Sequence, residues 1–404
     1  MVLLVVAALS MSVVAYAQDG VTIRLAGWSS SDAENAALQD AVDMFMEANP
    51  DIAVEISLSP SYVETMQTAF ASGDYPEVFY VDSSKLPDWA EAGVVATAGD
   101  RIEAMDDIYP SLLDVFTYNG ELYCPPKDFS TMALQYNKDL FDAAGVEYPT
   151  ADWTWDDLRA ASEALSGTND AGDPVLGLVT PPNLERWMPF LFQAGGSIFD
   201  ADGNLVINSP EALEALNFYV NIVADGFAGP PSAVDAGWGG EAFGNGRVAM
   251  AMEGNWVINY LREQFPDLNW GVAPLPQGPA GPATMAFTVC YGVAANAEGA
   301  TADAAWALVN YLTGPEGAIM VAETSFGVMP GRMSAADAWI ERFGEENAAF
   351  VEGADYAQRW QLPVGFQPFI DAFNDGLQQA FAGNLLAEDV LADTESVGME
   401  VMGS

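Results

Sequence analysis

The sequence predicts a mixed α/β protein built on a mostly parallel sheet, and three observations carry that reading. Apolar residues alternate over 21–26 and again over 52–58, and a short, fully apolar run covers 78–81. Helical periodicity fills the intervals, at 32–48 and 62–71. Strands that alternate with helices of this length need crossover connections, which build parallel sheets covered on both faces. Ligands of such sheets gather at the carboxyl ends of the strands. The loops at 28–31 and 82–84 are therefore the first places to look for a site.

Each element has a local justification. Gly27-Trp28-Ser29-Ser30 breaks the first strand, and the helix after it carries Ala37, Ala41, Met44, Phe45 and Ala48 on one face until Asn49-Pro50 stops it. Ile52, Val54, Ile56 and Leu58 alternate as the second strand, and the helix from Tyr62 is closed by Gly73. The third strand ends at Asp82-Ser83-Ser84. Strands at 122–126 and 132–136 flank a Pro-rich bend, followed by a helix at 155–165. Ser209-Pro210 opens another helix, with Ser209 as N-cap and Pro210 in the first position. The stretch 242–252 gathers small and apolar residues around Gly244 and Gly246. A strand at 270–273 leads into the turn-rich 274–282, the pattern at 289–295 and 302–312 returns to strand and helix, and the C-terminal region is mostly helical. No internal repeat or low-complexity linker is present, so lobes joined by several crossings are expected.

Composition narrows the function. The chain has 404 residues, enough for two or three domains of about 100–200 residues, and half of them are hydrophobic, which argues against wholesale disorder. Against 58 Asp and Glu stand 12 Lys and Arg, a formal net charge of −46. Nucleic acid and anionic membranes need a basic face, so both are poor partners. The chain has no His, which removes Ser-His-Asp triads, Cys-His dyads and HExxH zinc sites. Carboxylate catalysis and oxygen-ligated calcium stay open. A carboxylate surface this dense self-repels in dilute buffer and is better tolerated when salt screens it. A saline habitat is one reading of it and simple solubility the other.

The N-terminus reads as an export signal over residues 1–17. An apolar run covers 2–9, and Val13-Val14-Ala15-Tyr16-Ala17 ends in an Ala-x-Ala pattern before Gln18. The usual basic segment before the run is missing, and no Cys follows it to carry a lipid anchor. No later stretch approaches the roughly 20 apolar residues of a membrane span. An exported, soluble protein is expected, periplasmic or extracellular. Cys124 and Cys290 could pair there, but spacing gives no geometry, and two buried free thiols are the favoured reading.

The order of segments resembles the family 1 extracellular solute-binding proteins, the maltose-binding-protein-like ligand-capturing subunits of ABC importers. The similarity begins at Phe45-Met46-Glu47-Ala48-Asn49-Pro50-Asp51-Ile52 and continues through Ala71-Ser72-Gly73 with Pro76-Glu77-Val78-Phe79. Tyr136-Asn137-Lys138-Asp139-Leu140-Phe141 and Trp153-Thr154-Trp155-Asp156-Asp157-Leu158 follow in the family's order. So do Phe243-Gly244-Asn245-Gly246-Arg247 with Gly254-Asn255-Trp256, Ala273-Pro274-Leu275-Pro276, and Tyr311-Leu312-Thr313-Gly314-Pro315-Glu316-Gly317. The resemblance implies the two-lobed periplasmic-binding-protein fold of type II, with a ligand cleft between lobes joined by a multi-segment hinge. The expected N-terminal lobe comprises 18–127 and 288–327, and the C-terminal lobe 128–287 and 328–404. Crossings are expected near Asp128, at 284–288 and at 327–330.

A sugar presents apolar C–H faces and a rim of hydroxyls, so its site needs aromatic platforms with planar hydrogen-bonding groups. Trp28 lies in the first strand-to-helix loop, and Asp82 and Ser83 end the third strand. Asp128 and Ser130 flank Phe129 at the first crossing. The resemblance implies a ligand carboxylate or hydroxyl there, and a stacking platform at Trp256. Trp238 lies in a Gly-rich loop, Trp360 among C-terminal aromatics, and Arg332 after the third crossing. Tyr62, Trp187 and Glu253 complete the set. Packing competes as a reading for Trp28 and Trp256, a loop plug for Trp238, helix capping for Asp82 and Ser83, and a surface ion pair for Arg332. No catalytic or metal-ligating residues and no cofactor are expected. Asp200-Ala201-Asp202-Gly203-Asn204 lacks the acidic pattern of an EF-hand and reads as a hairpin turn.

These readings converge on an exported receptor, expected to be monomeric, that captures a neutral mono- or oligosaccharide and passes it to permease subunits. A polyol, a glycerophosphoryl compound or a sugar acid is the alternative within the class. A carboxylate-dependent glycoside hydrolase competes from another class, and a receptor that signals to a membrane sensor is a third possibility.

Overall fold

The computed structural model describes residues 20–29, 32–169, 172–200, 202–324, 327–359 and 362–403. The expected leader at 1–17 and Trp360 lie outside them. The first lobe holds a four-stranded sheet in which Val21–Trp28 is flanked in parallel by Ile52–Ser59 and Val78–Asp82. Val289–Val293 adds to the open edge of Val78–Asp82 in antiparallel register. The helix Asp32–Ala48 turns Ala37, Leu38, Ala41, Val42 and Phe45 to the core, whereas Met44 and Ala48, expected on the same face, are exposed. Gly73 ends the helix Tyr62–Ser72 with φ of 75°, a left-handed cap that suits glycine.

The second lobe is organised around a larger mixed sheet. Its central strands are Thr284–Phe287, Ser130–Asn137, Val248–Gly254 and Pro174–Val179, in that spatial order. Ser130–Asn137 and Val248–Gly254 are buried along their whole length. Helices Trp155–Leu165, Leu184–Gln193, Pro210–Ala224, Gln367–Phe381 and Ala387–Gly403 supply side chains to this lobe's main core. Thr154 and Asp157 cap the first of these reciprocally, and Ser209 caps the third through the Ala212 N–H. The stretch 242–252 resolves into the end of the helix Gly239–Gly244 and most of the strand Val248–Gly254. The expected strand at 122–126 shrinks to Glu121–Leu122, because the prolines that follow have no N–H for a ladder.

Two crossings run side by side. Residues 128–129 lead into Ser130–Asn137, and Thr288 separates Thr284–Phe287 in the second sheet from Val289–Val293 in the first. Asp128 ties them together. Its Oδ1 accepts from the Val289 N–H at 2.9 Å, and its carbonyl accepts from Thr288 Oγ1 at 2.6 Å. A third segment joins where Phe129 N donates to the Met329 carbonyl at 2.7 Å. The change of lobe expected at 328 comes later in the packing. Trp339, Phe343 and Phe350 belong to the first lobe's core, whereas Leu362 and Phe366 belong to the second's.

Cys124 and Cys290 form a disulfide between buried residues, Cα atoms 5.7 Å apart, which corrects the expectation of free thiols. The physical reason is that Pro126 bridges to Cys290, so the chain before the first crossing lies against the strand after the second. Such a link constrains the unfolded chain by closing a long loop. The Cys124→Ser, Cys290→Ser double variant is expected to lose about 2–4 kcal/mol in denaturant unfolding. A loss well under about 1 kcal/mol would show that the link contributes little.

Candidate functional site

The carboxyl end of Val78–Asp82 meets the second lobe at a cavity of about 290 Å³. From the first lobe it takes Asp82, Ser83 and Ser84, and from the second Glu185, Arg186, Trp256 and Phe287. Asp82 Oδ1 accepts from the Ser84 N–H at 2.8 Å and from its hydroxyl at 2.6 Å. Ser83 N donates to the Thr288 carbonyl at 3.2 Å, which seats this loop on the hinge.

The second-lobe wall is assembled by one buried carboxylate. Glu253 is 1% exposed, and its Oε2 accepts from Arg186 Nη2 at 2.7 Å and from Trp256 Nε1 at 3.2 Å. The Arg186 guanidinium lies 5.5 Å from the Trp256 ring and 5.8 Å from the Phe287 ring. Those two rings meet edge to face at 5.3 Å, an arrangement favoured by their quadrupoles. Gly239 makes room for the carboxylate, since a Cβ there would sit 2.4 Å from Glu253 Oε1. Arg186 Nε has no hydrogen-bond partner among the described residues. Burial opposes the charge on Arg186, but Glu253 and then Glu185 outweigh it, and its pKa is raised.

Two acids face this cavity from opposite lobes, and the pKa of each is raised from its ordinary value. Burial is the main cause for Asp82, with Asp128 adding repulsion while Ser84 and Lys85 work against the shift. Burial also leads for Glu185, countered by Arg186 and reinforced by Asp82 and Glu253.

The expected site residues separate into three groups. Asp82, Ser83 and Trp256 line the cavity. Glu253, Asp128 and Ser130 stand behind it. Glu253 holds Arg186 and Trp256, Asp128 pairs with Lys127 at 2.6 Å, and Ser130 Oγ accepts from the Asn255 N–H at 3.0 Å. The remaining described residues lie elsewhere, for evident packing reasons. Tyr62 is buried with its hydroxyl on the Tyr80 carbonyl at 2.6 Å, and Trp28 packs on it at 4.6 Å. Trp187 is fully buried against Phe373 at 4.7 Å, and Trp238 meets Tyr260 edge-on at 4.8 Å. Arg332, 1% exposed, directs its fork onto the main-chain carbonyls of Thr313, Ala104 and Glu103 and is a structural tie of the first lobe. The sequence reading missed Glu185, Arg186 and Phe287. The available signal was Asn183, an N-cap three residues before Arg186, which marks a helix starting at the cleft.

Two expectations follow. Glu253→Ala leaves the partly buried Arg186 with only Glu185, 3.9 Å away, and unfolding measurements are expected to show a loss below the value of about 3–5 kcal/mol for a fully buried broken pair. Asp82 binds protons more tightly folded than unfolded, so its contribution weakens the fold as pH rises above about 4, the unfolded value. Asp82→Asn is therefore expected to raise the melting temperature at pH 7 and to change it little below pH ~4. An equal effect at both pH values would contradict this assignment.

The model of the bacterial extracellular solute-binding protein family matches residues 40–350. A protein of Brucella abortus named as a binding protein is 25% identical over 402 residues, covering 96% of this chain and 95% of its own. An arabinooligosaccharide-binding protein of Halalkalibacterium halodurans is 24% identical over 265 residues, 62% of this chain and 58% of that protein. The solved ABC substrate-binding protein of Listeria monocytogenes in complex with cycloalternan superposes with a TM-score of 0.85 at 28% identity, covering 95% of this chain and all of that one. The two lobes, the strand-end cavity between them and a family match over most of the length agree, and the chain belongs to the bacterial extracellular solute-binding proteins.

Proposed function

We propose that the protein captures a neutral carbohydrate in the inter-lobe cavity and delivers it to the permease of an ABC importer, without catalysis. The observation that carries this is the composition of the cavity. One lobe offers a carboxylate and hydroxyls, and the other offers an indole platform beside a guanidinium. A sugar ring needs apolar contact on its faces and directional acceptors and donors on its rim. The relative named as arabinooligosaccharide-binding and the structure holding cycloalternan support the same class.

Charge separates the alternatives. Arg186 is already paired with Glu253, while Asp82 and Glu185 add negative charge to the same space. A sugar acid or glycerophosphoryl compound would meet net repulsion there, so the neutral ligand is favoured. Binding to both lobes would supply the free-energy difference that favours a closed state over an open one. Asp128, Thr288 and the Phe129–Met329 contact mark where the hinge would flex. No helix among the described residues is long and apolar enough to cross a membrane. The match to the extracellular solute-binding family supports a place outside the cytoplasm, where we propose that the protein acts as an exported monomer.

Trp256 is the residue to test. Calorimetric titration with neutral sugars is expected to show stoichiometric binding, with the sugar recovered intact and the melting temperature raised by ligand. Trp256→Ala should weaken that binding about tenfold or more, as loss of an aromatic anchor does. Cleaved sugar would favour a hydrolase acting through Asp82 and Glu185. Undiminished affinity in the variant would move the site elsewhere.

A further inference from the structure

We propose that repulsion between two like-charged lobes holds the protein open in dilute salt, so that ionic strength governs how readily it closes. Only the consequence for sugar affinity rests on the carbohydrate reading above. The charge of the chain divides almost evenly. Residues 18–127 and 288–356 hold 30 acidic and 6 basic side chains, a net charge of −24. Residues 128–287 and 357–404 hold 28 and 6, a net charge of −22. The division at 357 follows the sheet, since Ala357–Gln358 pairs with Thr284–Phe287 of the second lobe. Bringing the lobes together therefore works against two fields of the same sign.

The cations are engaged within the lobes rather than across the gap. Arg24, Arg101 and Arg332 pair with acids of the first lobe, and Arg159 and Arg186 with acids of the second. Lys127 pairs with Glu34 and Asp128 at the first crossing. Arg262 does reach from the second lobe to the first, but onto the main-chain carbonyl of Phe343 at 2.7 Å. Where the lobes face each other, acids meet acids. Asp82 and Glu185 line one cavity from opposite sides, and Asp114 and Asp200 line another in the same way. Burial leads in raising the Glu185 pKa, and Asp82 across the gap adds to it. Lys85 tempers the first encounter, and Arg359 stands beside the second. A neutral sugar brings no charge to offset the repulsion, and its affinity includes the free energy of closure. Screening removes the opposition in a set order. The Debye length is about 30 Å at 0.01 M salt, about 10 Å at 0.1 M and about 3 Å at 1 M. Repulsion between whole lobes thus fades in the first of these steps, whereas salt effects on apolar burial build up toward molar concentration.

Small-angle X-ray scattering of the ligand-free chain from Gln18 onward, extrapolated to zero protein concentration, tests this with NaCl as the only variable. Between 10 and 100 mM the radius of gyration is expected to fall by about 0.5–1 Å, against about 21 Å for a compact chain of this size, and to change little up to 1 M. Asp43→Lys, Glu47→Lys and Asp51→Lys together move the first lobe from −24 to −18 at exposed positions at the end of its sheet away from the cleft. Maltose, maltotriose, arabinose and arabinotriose are then titrated calorimetrically into both proteins. For a sugar that binds, affinity is expected to rise about tenfold from 10 to 100 mM in the wild type and about fivefold in the triple variant, because the product of the lobe charges falls by a quarter. Near-ultraviolet circular dichroism checks the fold at each salt. Where 10 mM unfolds the wild type, the variant, which repels itself less, carries the scattering comparison. A radius unchanged from 10 to 100 mM in folded protein overturns the proposal, as does a change confined to salt above 0.1 M. Failure of every sugar to bind would count against the carbohydrate reading alone, and the scattering would still decide whether salt closes the lobes.

Discussion

A buried carboxylate must be paired and hydrogen-bonded or it loses its charge, and Glu253 meets that requirement through Arg186 and Trp256 together. The consequence is architectural. Arg186 stands at the start of one helix and Trp256 just before another, and neither has its position dictated by the sheet alone. The shared oxygen brings them to one wall, where the guanidinium lies against Trp256 and Phe287 and the indole faces the first lobe across the cavity. Gly239 leaves the space in which this carboxylate sits. The ligand wall is thus fixed by a charge that itself does not line the cavity.

Scarcity of cations gives the rest of the structure its logic. With 12 basic residues in 404, the buried ones mark where the fold needs a tie. Lys127 joins Asp128 and Glu34 at the first crossing and lies 4.8 Å from the Tyr80 ring. Burial works against its charge, but the two acids raise its pKa overall. Arg332 gathers three carbonyls from distant segments, and Arg186 organises the cleft. Arg24, Arg101 and Arg159 pair with acids nearer the surface, where such pairs contribute little. The unpaired acidic excess is left to solvent and salt.

Much of the fold was legible because it is local. The helix Trp155–Leu165 and the strand Trp270–Ala273 fall where the sequence reading placed them, as does the parallel arrangement of the first three strands. Asp82, Ser83 and Trp256 were legible because strand ends and a family motif mark them. Arg186 was hidden beside Trp187. Neighbours on a helix point about 100° apart, so one enters the core while the other turns to the cleft. For Arg332 an ion pair was one of two readings, and it meets Asp107 at 3.8 Å. Its tie to the carbonyls of Glu103 and Ala104 was hidden because they lie more than two hundred residues away in sequence. The disulfide and the late return to the second lobe are long-range for the same reason: spacing along the chain carries no record of which strands adjoin.

The central claim is that a neutral sugar is gripped between the lobes, against Trp256 on one side and Asp82 on the other. A double-mutant cycle across the cleft tests it most directly, with sugar affinity measured for Asp82→Asn, Trp256→Ala and the pair. A ligand held by both residues makes their effects non-additive, since loosening one grip lets the sugar leave the other. Strictly additive effects, or an Asp82 variant that binds sugar unchanged, would contradict a grip between the lobes.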